Sequence, residues 1–218
     1  MKYYLLFASL LLIAACKKSS DSLPADPGCI DRIYIPADAH ALSAADLNTV
    51  NTLFNSNNID HRDYRFYHYV HDTFQTLFPP FTAYDQKLIK VDQYTNGLHI
   101  FNRQINYIFF DDQLHYVAGS RTSGTNPDTQ THLTLPQLRG LFLQEIRKHG
   151  DNYMFNDSCV KAEFGYYNLT AGGNDTTEHL TKAWHLTPGN ASYPEAYYKD
   201  ENGSLIYYFN GLIFFGVK

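Results

Sequence analysis

Ten histidines are the first residues in this 218-residue chain that could bind a metal ion or transfer protons. His68 and His71 lie three residues apart in a segment with strand character, so we expect their side chains on opposite faces. Glu178 and His179 form a lone adjacent pair. The sequence contains neither a His-Glu-x-x-His motif nor a Cys/His cluster with ligand spacing, and it therefore predicts no metal site and no cofactor.

No residue pattern marks a nucleophile or a pair of catalytic carboxylates. The chain lacks a Gly-x-Ser-x-Gly motif, and the glycine-bearing segments 119–124 and 172–173 lack a phosphate-loop pattern. Several acidic residues fall instead in predicted turns, where hydrogen bonds to the local backbone account for them: Asp111, Asp112, Asp200 and Glu201. We expect that the protein is not an enzyme, and a hydrolase with an unmarked carboxylate pair is the alternative.

Eighteen tyrosines and fifteen phenylalanines make the chain rich in aromatic residues. Tyrosines exposed on strands can stack on sugars or hold peptides. Aromatic residues also suit half-buried strands without any binding role. The composition alone leaves both interpretations open.

The amino terminus has the parts of a bacterial lipoprotein export signal. Lys2 precedes an apolar run over residues 5–15, which is too short to span a bilayer as a helix. The small residues Ala14 and Ala15 stand directly before Cys16, an order that resembles the bacterial lipobox. We expect removal of the signal peptide 1–15 and acylation of Cys16 by lipid such as palmitate. The alternative is an ordinary secretory signal followed by a chance cysteine.

Lipidation would tether the protein outside the cytoplasm through two or three acyl chains. Lys17, rather than an aspartate, follows Cys16 and favours the outer membrane, with the protein facing the periplasm or the cell surface. Residues 16–30 are polar and predict a linker. The net charge of −5 and the absence of a basic run predict no nucleic-acid partner.

Cys29 and Cys159 are the two cysteines left after Cys16. An even pair in an oxidising compartment predicts a disulfide. Two buried free thiols are the alternative.

The hydrophobic pattern predicts a helix followed by strands, and then a second helix followed by further strands. Ser43 caps a first helix, strands follow near 64–70, 87–95, 98–110 and 114–119, and Asn96-Gly97 marks a hairpin turn. Thr134 begins a second helix that ends at Gly150, and strands follow near 160–166, 183–187, 196–199 and 205–209. We expect an α+β fold in which antiparallel sheets each pack on a helix, in two similar half-length units.

Two motifs resemble the propeptide region of thermolysin- and fungalysin-type metalloproteases. The segment Gln93-Tyr94-Thr95-Asn96-Gly97-Leu98-His99-Ile100-Phe101 resembles the core of the FTP unit, although His99 stands where that family commonly has proline. Ala183-Trp184, then Pro194, Tyr197, Asp200, Gly203 and Leu205, are similar to the PepSY motif. The resemblance implies an FTP-like unit over 31–125 and a PepSY-like, cystatin-like unit over 126–218.

The same resemblance implies that the protein inhibits or chaperones a protease. No His-Glu-x-x-His motif follows within the chain, so we expect any such role to act in trans on a separate secreted protease. The interpretation that follows is a membrane-anchored extracytoplasmic binding module. The alternative is a glycan- or peptide-binding surface lipoprotein that uses its exposed tyrosines.

Overall fold

A computed structural model describes residues 23–122, 128–154, 159–170 and 178–212. The predicted signal peptide and Cys16 lie outside these residues. Within the described ranges the chain forms two α-helices, a short 3-10 turn over Asp151–Met154 and nine strands: β1 Ile30–Ile33, α1 Ala44–Ser56, β2 Tyr64–Gln75, β3 Ala83–Thr95, β4 Leu98–Phe110, β5 Gln113–Ala118, α2 Leu135–His149, β6 Val160–Asn168, β7 Leu180–Pro188, β8 Glu195–Lys199 and β9 Leu205–Phe209. Neither of these helices has the length and apolar character needed to cross a bilayer.

The described strands pair into one sheet in the order β2-β3-β4-β6-β7-β8-β9, with β5 beside β4 and β1 beside β6. All pairings are antiparallel except β1 with β6 and the short contact of β4 with β6, where Ile100 faces Tyr166. The prediction of helices packed on antiparallel sheet is thus confirmed coarsely. The fold is mainly β, with two helices.

Local sequence signals place both helix ends. The Asp46 backbone N–H donates to Ser43 Oγ at 3.1 Å, which caps α1 as predicted. The Thr134 backbone N–H donates to Gln137 Oε1 at 2.9 Å, one half of the predicted capping box at α2. Gly150 ends α2 with φ +74°, a left-handed conformation that glycine adopts without strain.

Each helix buries an apolar face on its own set of strands. The first core surrounds α1, where Val50, Leu53 and Phe54 meet residues of β2, β3 and β4. The second core surrounds α2, where Leu138, Phe142 and Ile146 meet residues of β6, β7 and β8. Burial of these side chains is the main stabilising contribution to each part of the sheet.

The hairpin of β2 and β3 is longer than the hydrophobic pattern predicts. Asn96 and Gly97, with φ values of +52° and +74°, form the predicted turn between β3 and β4. The pairing of β2 with β3, however, extends to Gln75 opposite Ala83, well beyond residues 70 and 87. The outer parts of both strands contain several polar residues, so they lack the clear alternation of apolar and polar residues by which strands are predicted.

The segment predicted as a linker is partly structured. Leu23 packs against the second core, and Arg139 on α2 pairs with Asp26 and donates from Nε to the Cys29 carbonyl at 3.1 Å. β1 then pairs in parallel with β6, so the chain that precedes α1 joins the strands beside α2. A four-residue strand whose partner lies 130 residues away leaves no local sequence signal.

Candidate functional site

The face of β2–β5 that lies opposite α1 carries apolar side chains and no helix in the described structure. In these strands alternate residues point to opposite faces. Ile89 and Tyr107 face α1 within the first core. Leu88 and Ile108, one position along each strand, therefore point away from it.

Strand register aligns an apolar row across this open face. Val70 on β2 pairs with Leu88 on β3, Leu88 with Ile108 on β4, and Ile108 with Tyr116 on β5. Direct cross-strand neighbours of this kind bring their Cβ atoms within contact range. The row spans four strands, and its two outer members are exposed.

Aromatic rings extend this row toward the end of the β2–β3 hairpin. Phe110 stacks on Phe74 at 5.3 Å, on Tyr84 at 4.9 Å and on His115 at 4.2 Å between ring centroids. We call the row, these rings and the hairpin end the apolar surface; its members are Val70, Phe74, Leu77, Phe78, Phe81, Tyr84, Leu88, Ile108, Phe110, His115 and Tyr116.

The hairpin end is the most exposed part of the apolar surface. Leu77, Phe78 and Phe81 are 82%, 78% and 65% exposed, respectively. Residues 76–82 contain no charged side chain. Contiguous apolar exposure of this kind is typical of a surface that binds another molecule.

Charged side chains hold the base of the hairpin. Lys87 Nζ donates to Asp112 Oδ1 at 2.7 Å and also to Asp85. His71 pairs with Asp85 from the neighbouring strand. Hydrogen bonds from Lys87 and His71 lower the pKa of the Asp85 carboxyl. This network ties β2, β3 and the β4–β5 turn together and fixes the direction of the hairpin.

A second cluster lies on the face of β6–β8 opposite α2. Glu163, His185 and Tyr197 are direct cross-strand neighbours. The His185 and Tyr197 rings stack at 4.4 Å with an interplanar angle of 7°. Burial raises the pKa of the Tyr197 hydroxyl, so this group is a hydrogen-bond donor at neutral pH. A cavity of about 300 Å³, which we call the acidic cleft, opens beside Glu163, His185 and Glu195.

Buried carboxylates continue from the acidic cleft toward the first core. His99 Nδ1 lies 3.5 Å from Glu163 Oε1, and His99 Nε2 lies 3.9 Å from Asp92 Oδ1. Arg65 Nη1 donates to Asp92 Oδ2 at 3.1 Å. Burial raises the pKa of the Asp92 carboxyl and outweighs the effect of the neighbouring His99 and Arg65 side chains, which lower it. The chain thus places acidic and imidazole groups in a connected line across the sheet.

Of the residues singled out from the sequence, the structure brings together the two cysteines. Cys29 and Cys159 form a disulfide with 4.6 Å between their Cα atoms, and it connects the start of β1 to the start of β6. Among the described residues, one group of three potential metal ligands lies close together, and it consists of Cys29, Asp31 and Cys159. The sulfur atoms of both cysteines are used in the disulfide. Glu178 pairs with Arg103 at 3.1 Å. His68 pairs with Lys90 and His71 with Lys87 in a regular part of the β2–β3 ladder, so the two histidines lie on opposite faces, as predicted.

The structure shows that the interpretation of Asp200 from the sequence was wrong. We predicted local turn hydrogen bonds, but the carboxylate is fully buried and accepts from the distant backbone N–H groups of His132 and Leu133 at 3.0 and 3.2 Å. Trp184 Nε1 donates to it at 2.8 Å. Burial by itself raises the pKa of Asp200, but these hydrogen bonds outweigh burial and lower it. Asp200 therefore fixes the segment that enters α2.

Two residues of the FTP-like and PepSY-like motifs have structural roles. Gln93 Nε2 donates to the Ser120 carbonyl at 3.1 Å, and its Oε1 accepts from the Thr122 backbone at 2.8 Å. Gln93 thereby holds the chain after β5 against β3. Trp184 is buried in the second core, where it binds Asp200.

Sequence reasoning missed the acidic cleft. Glu163, His185 and Glu195 are separated by 10 residues or more along the chain, and no spacing rule connects them. Their only sequence signal is a polar residue in the centre of an apolar strand, as Glu163 is in β6. A comparison with models of known protein families and one with curated proteins both find no match to this chain.

Proposed function

We propose that this chain is a lipid-anchored, extracytoplasmic binding module that engages a secreted protease in trans. Cys16 carries the lipid, the outer membrane is the anchoring site, and the folded part has no enzymatic activity of its own. An FTP-like unit contains α1 and β2–β5, and a PepSY-like unit contains α2 and β6–β9. Support for two units comes from the two separate cores, each with one helix on antiparallel strands.

The observation that carries the proposal is the apolar surface. An open sheet face that ends in three exposed apolar side chains is costly for a protein that works alone. Aromatic side chains at the centre of such a surface are typical hot spots of protein interfaces. The surface fits a partner with an apolar groove, into which Phe78 and Phe81 of the hairpin would insert.

Inhibition of a thermolysin-type metalloprotease by the purified full-length protein tests this function. We expect inhibition by the wild-type protein and an inhibition constant about 30-fold higher or more for a Phe78→Ser/Phe81→Ser variant, because a hot-spot side chain contributes 2 kcal/mol or more. Tyr34→Ser, which removes an exposed aromatic ring outside the apolar surface, is the control. Absence of inhibition across secreted metalloproteases, together with absence of binding, would contradict the proposal.

Glycan or peptide binding through exposed tyrosines is the second candidate. It is supported by one cluster, in which Tyr193 packs edge-on against Phe209 at 5.3 Å and Tyr207 lies 6.4 Å from the same ring. Both tyrosines are partly exposed. Loss of glycan-array signal in Tyr193→Ala and Tyr207→Ala variants would favour this role over protease binding.

A further inference from the structure

The outer edge of β2 is open along most of its length in the described structure. β2 is the last strand on its side of the sheet. The segment before α1 covers the edge only at its start, where the Ala41 backbone N–H donates to the Phe66 carbonyl at 2.9 Å. Beyond this point no described strand pairs with the edge, and the residues from His68 to Gln75 are largely exposed. Such an edge can pair with a strand of another molecule.

The backbone groups that point outward from this edge belong to the odd-numbered residues. The Thr76 backbone N–H donates to the Thr82 carbonyl at 3.0 Å, in the same register as the β2–β3 ladder after its bulge. Hydrogen-bonded pairs alternate along an antiparallel ladder, so the even-numbered residues of β2 bond to β3 there. Tyr69 and His71 therefore direct their N–H and C=O groups away from the sheet. No described residue bonds these outward groups.

The open part of β2 lacks the devices by which strand edges usually avoid pairing. Residues 68–75 contain neither lysine nor proline. The one bulge in the β2–β3 ladder falls before them, between Phe66 and His68. The edge is therefore regular where it is open.

The side chains of this edge are complementary to those of a second copy of the chain. His68, Val70 and Asp72 alternate onto the open face and are all exposed. His68 and Asp72 lie at equal distances on either side of Val70. Antiparallel pairing of two β2 strands centred on Val70 thus sets each His68 opposite an Asp72, a favourable cross-strand pair. In the described structure neither side chain has an ion-pair partner within its own chain, and Asp72 uses only Oδ1, which accepts from the Thr73 backbone at 2.7 Å.

The other registers near this centre lack such complementarity. A centre at Asp72 sets the two carboxylates directly opposite each other, and a centre at Tyr69 or His71 brings no opposite charges together. In the register centred on Val70, Tyr69 lies opposite His71, so their outward backbone groups can exchange hydrogen bonds. Charge and backbone therefore select the same register.

This register also extends the apolar row of the open face. Val70 meets its own counterpart, and the row from Val70 through Leu88 and Ile108 to Tyr116 continues into the second copy. The two-fold axis is perpendicular to the sheet, so both open faces lie on the same side. The same patch is used by both copies, as in an isologous interface.

We propose that two copies of this chain pair through the open edge of β2, antiparallel and centred on Val70, and form one continuous sheet. The paired segment stops short of residues 76–82, so the hairpin end stays free in each copy. Dimer formation is therefore independent of the proposed protease binding.

Oxidative cross-linking of the purified full-length protein tests the register. Opposite residues in a non-hydrogen-bonded pair have Cα atoms about 4.5 Å apart, a distance that a disulfide spans. We expect Val70→Cys to form a covalent dimer under mild oxidation. Phe74→Cys is the matched control, because Phe74 and Val70 are equally exposed, at 39% and 38%. In this register the two copies of residue 74 lie roughly 26 Å apart. Equal cross-linking of both variants, or none in Val70→Cys, would overturn the proposal.

Analytical ultracentrifugation measures the association without a new cysteine. We expect the wild-type protein to dimerise and Asp72→Lys to raise the dissociation constant about tenfold or more, because a lysine opposite His68 removes the favourable pair at two symmetric positions. His68→Glu/Asp72→Lys exchanges the two signs and should restore the dimer. Glu201→Lys changes an exposed carboxylate outside β2 and is the control. A monomeric wild-type protein at about 0.1 mM, or association that Asp72→Lys leaves unchanged, would overturn the proposal.

Discussion

At the scale of single residues, Asp200 is a fully buried carboxylate that accepts hydrogen bonds from distant parts of the chain. Its buried carboxylate accepts hydrogen bonds from Trp184 and from the backbone before α2, and so connects the second core to the helix that covers it. A buried acceptor with three converging N–H donors cannot be replaced by a group that donates. The residue therefore matters for stability although it lies in a turn.

Asp200→Asn is expected to lower the free energy of unfolding by about 3 kcal/mol, because the amide leaves buried donors unpaired. The native pKa of Asp200 is below its ordinary value of 3.8, so its stabilising contribution is complete above about pH 4. The contribution decreases as the pH falls through the native pKa. Urea unfolding at pH 7 and at pH 3 measures both effects.

The control for this prediction is Glu201→Gln, a substitution of the exposed neighbour. It should unfold like the wild type at both pH values. If Asp200→Asn were as stable as the wild type at pH 7, the structural role assigned to Asp200 would be wrong.

At the scale of elements, the disulfide and the end of the β2–β3 hairpin are expected to contribute very differently to the free energy of unfolding. The Cys29–Cys159 bond closes a loop with a sequence separation of 130 residues and anchors β1 beside β6. A loop of that length corresponds to about 5 kcal/mol in the chain-entropy model. The hairpin end, in contrast, contacts little of the folded protein.

A Cys29→Ala/Cys159→Ala variant should unfold at a lower denaturant concentration, with a loss of up to about 5 kcal/mol. Guanidinium unfolding with and without a reducing agent measures the loss. Only the wild-type protein should respond to reduction. Equal stability of the oxidised wild type and the variant would show that the disulfide does not stabilise the fold.

Phe78→Ser and Phe81→Ser should each change the unfolding free energy by less than about 0.5 kcal/mol, because both side chains are mostly exposed. Thermal unfolding checks this expectation. A large destabilisation would mean that the hairpin end packs on the protein rather than on a partner.

The elements also show which features of the fold could be predicted from the sequence. Ser43, Gln137 and Gly150 fix the helix ends through contacts within a few residues, and Asn96-Gly97 fixes a turn in the same way, so all were predictable. β1 and the contact of Ile100 with Tyr166 depend on partners far along the chain. The acidic cleft was not predictable for the same reason, because three strands must pair before Glu163 and Glu195 share a cavity.

At the scale of the whole molecule, the proposed lipid anchor places the folded part at a membrane. Metabolic labelling with palmitate should mark the wild-type protein and leave a Cys16→Ser variant unlabelled, because only the cysteine sulfur accepts the lipid. The variant should also leave the membrane fraction. An unlabelled wild-type protein would exclude lipidation and leave only an ordinary secretory signal.

The most direct test of the proposed binding role is amide hydrogen exchange of the full-length protein with and without a secreted thermolysin-type protease. Binding through the apolar surface predicts slower exchange in residues 66–90 and 106–118 and unchanged exchange in β7 and β8. Protection confined to β6–β9, or no protection at a protease concentration that is fully inhibited, would contradict the central claim that the open face of β2–β5 binds the partner.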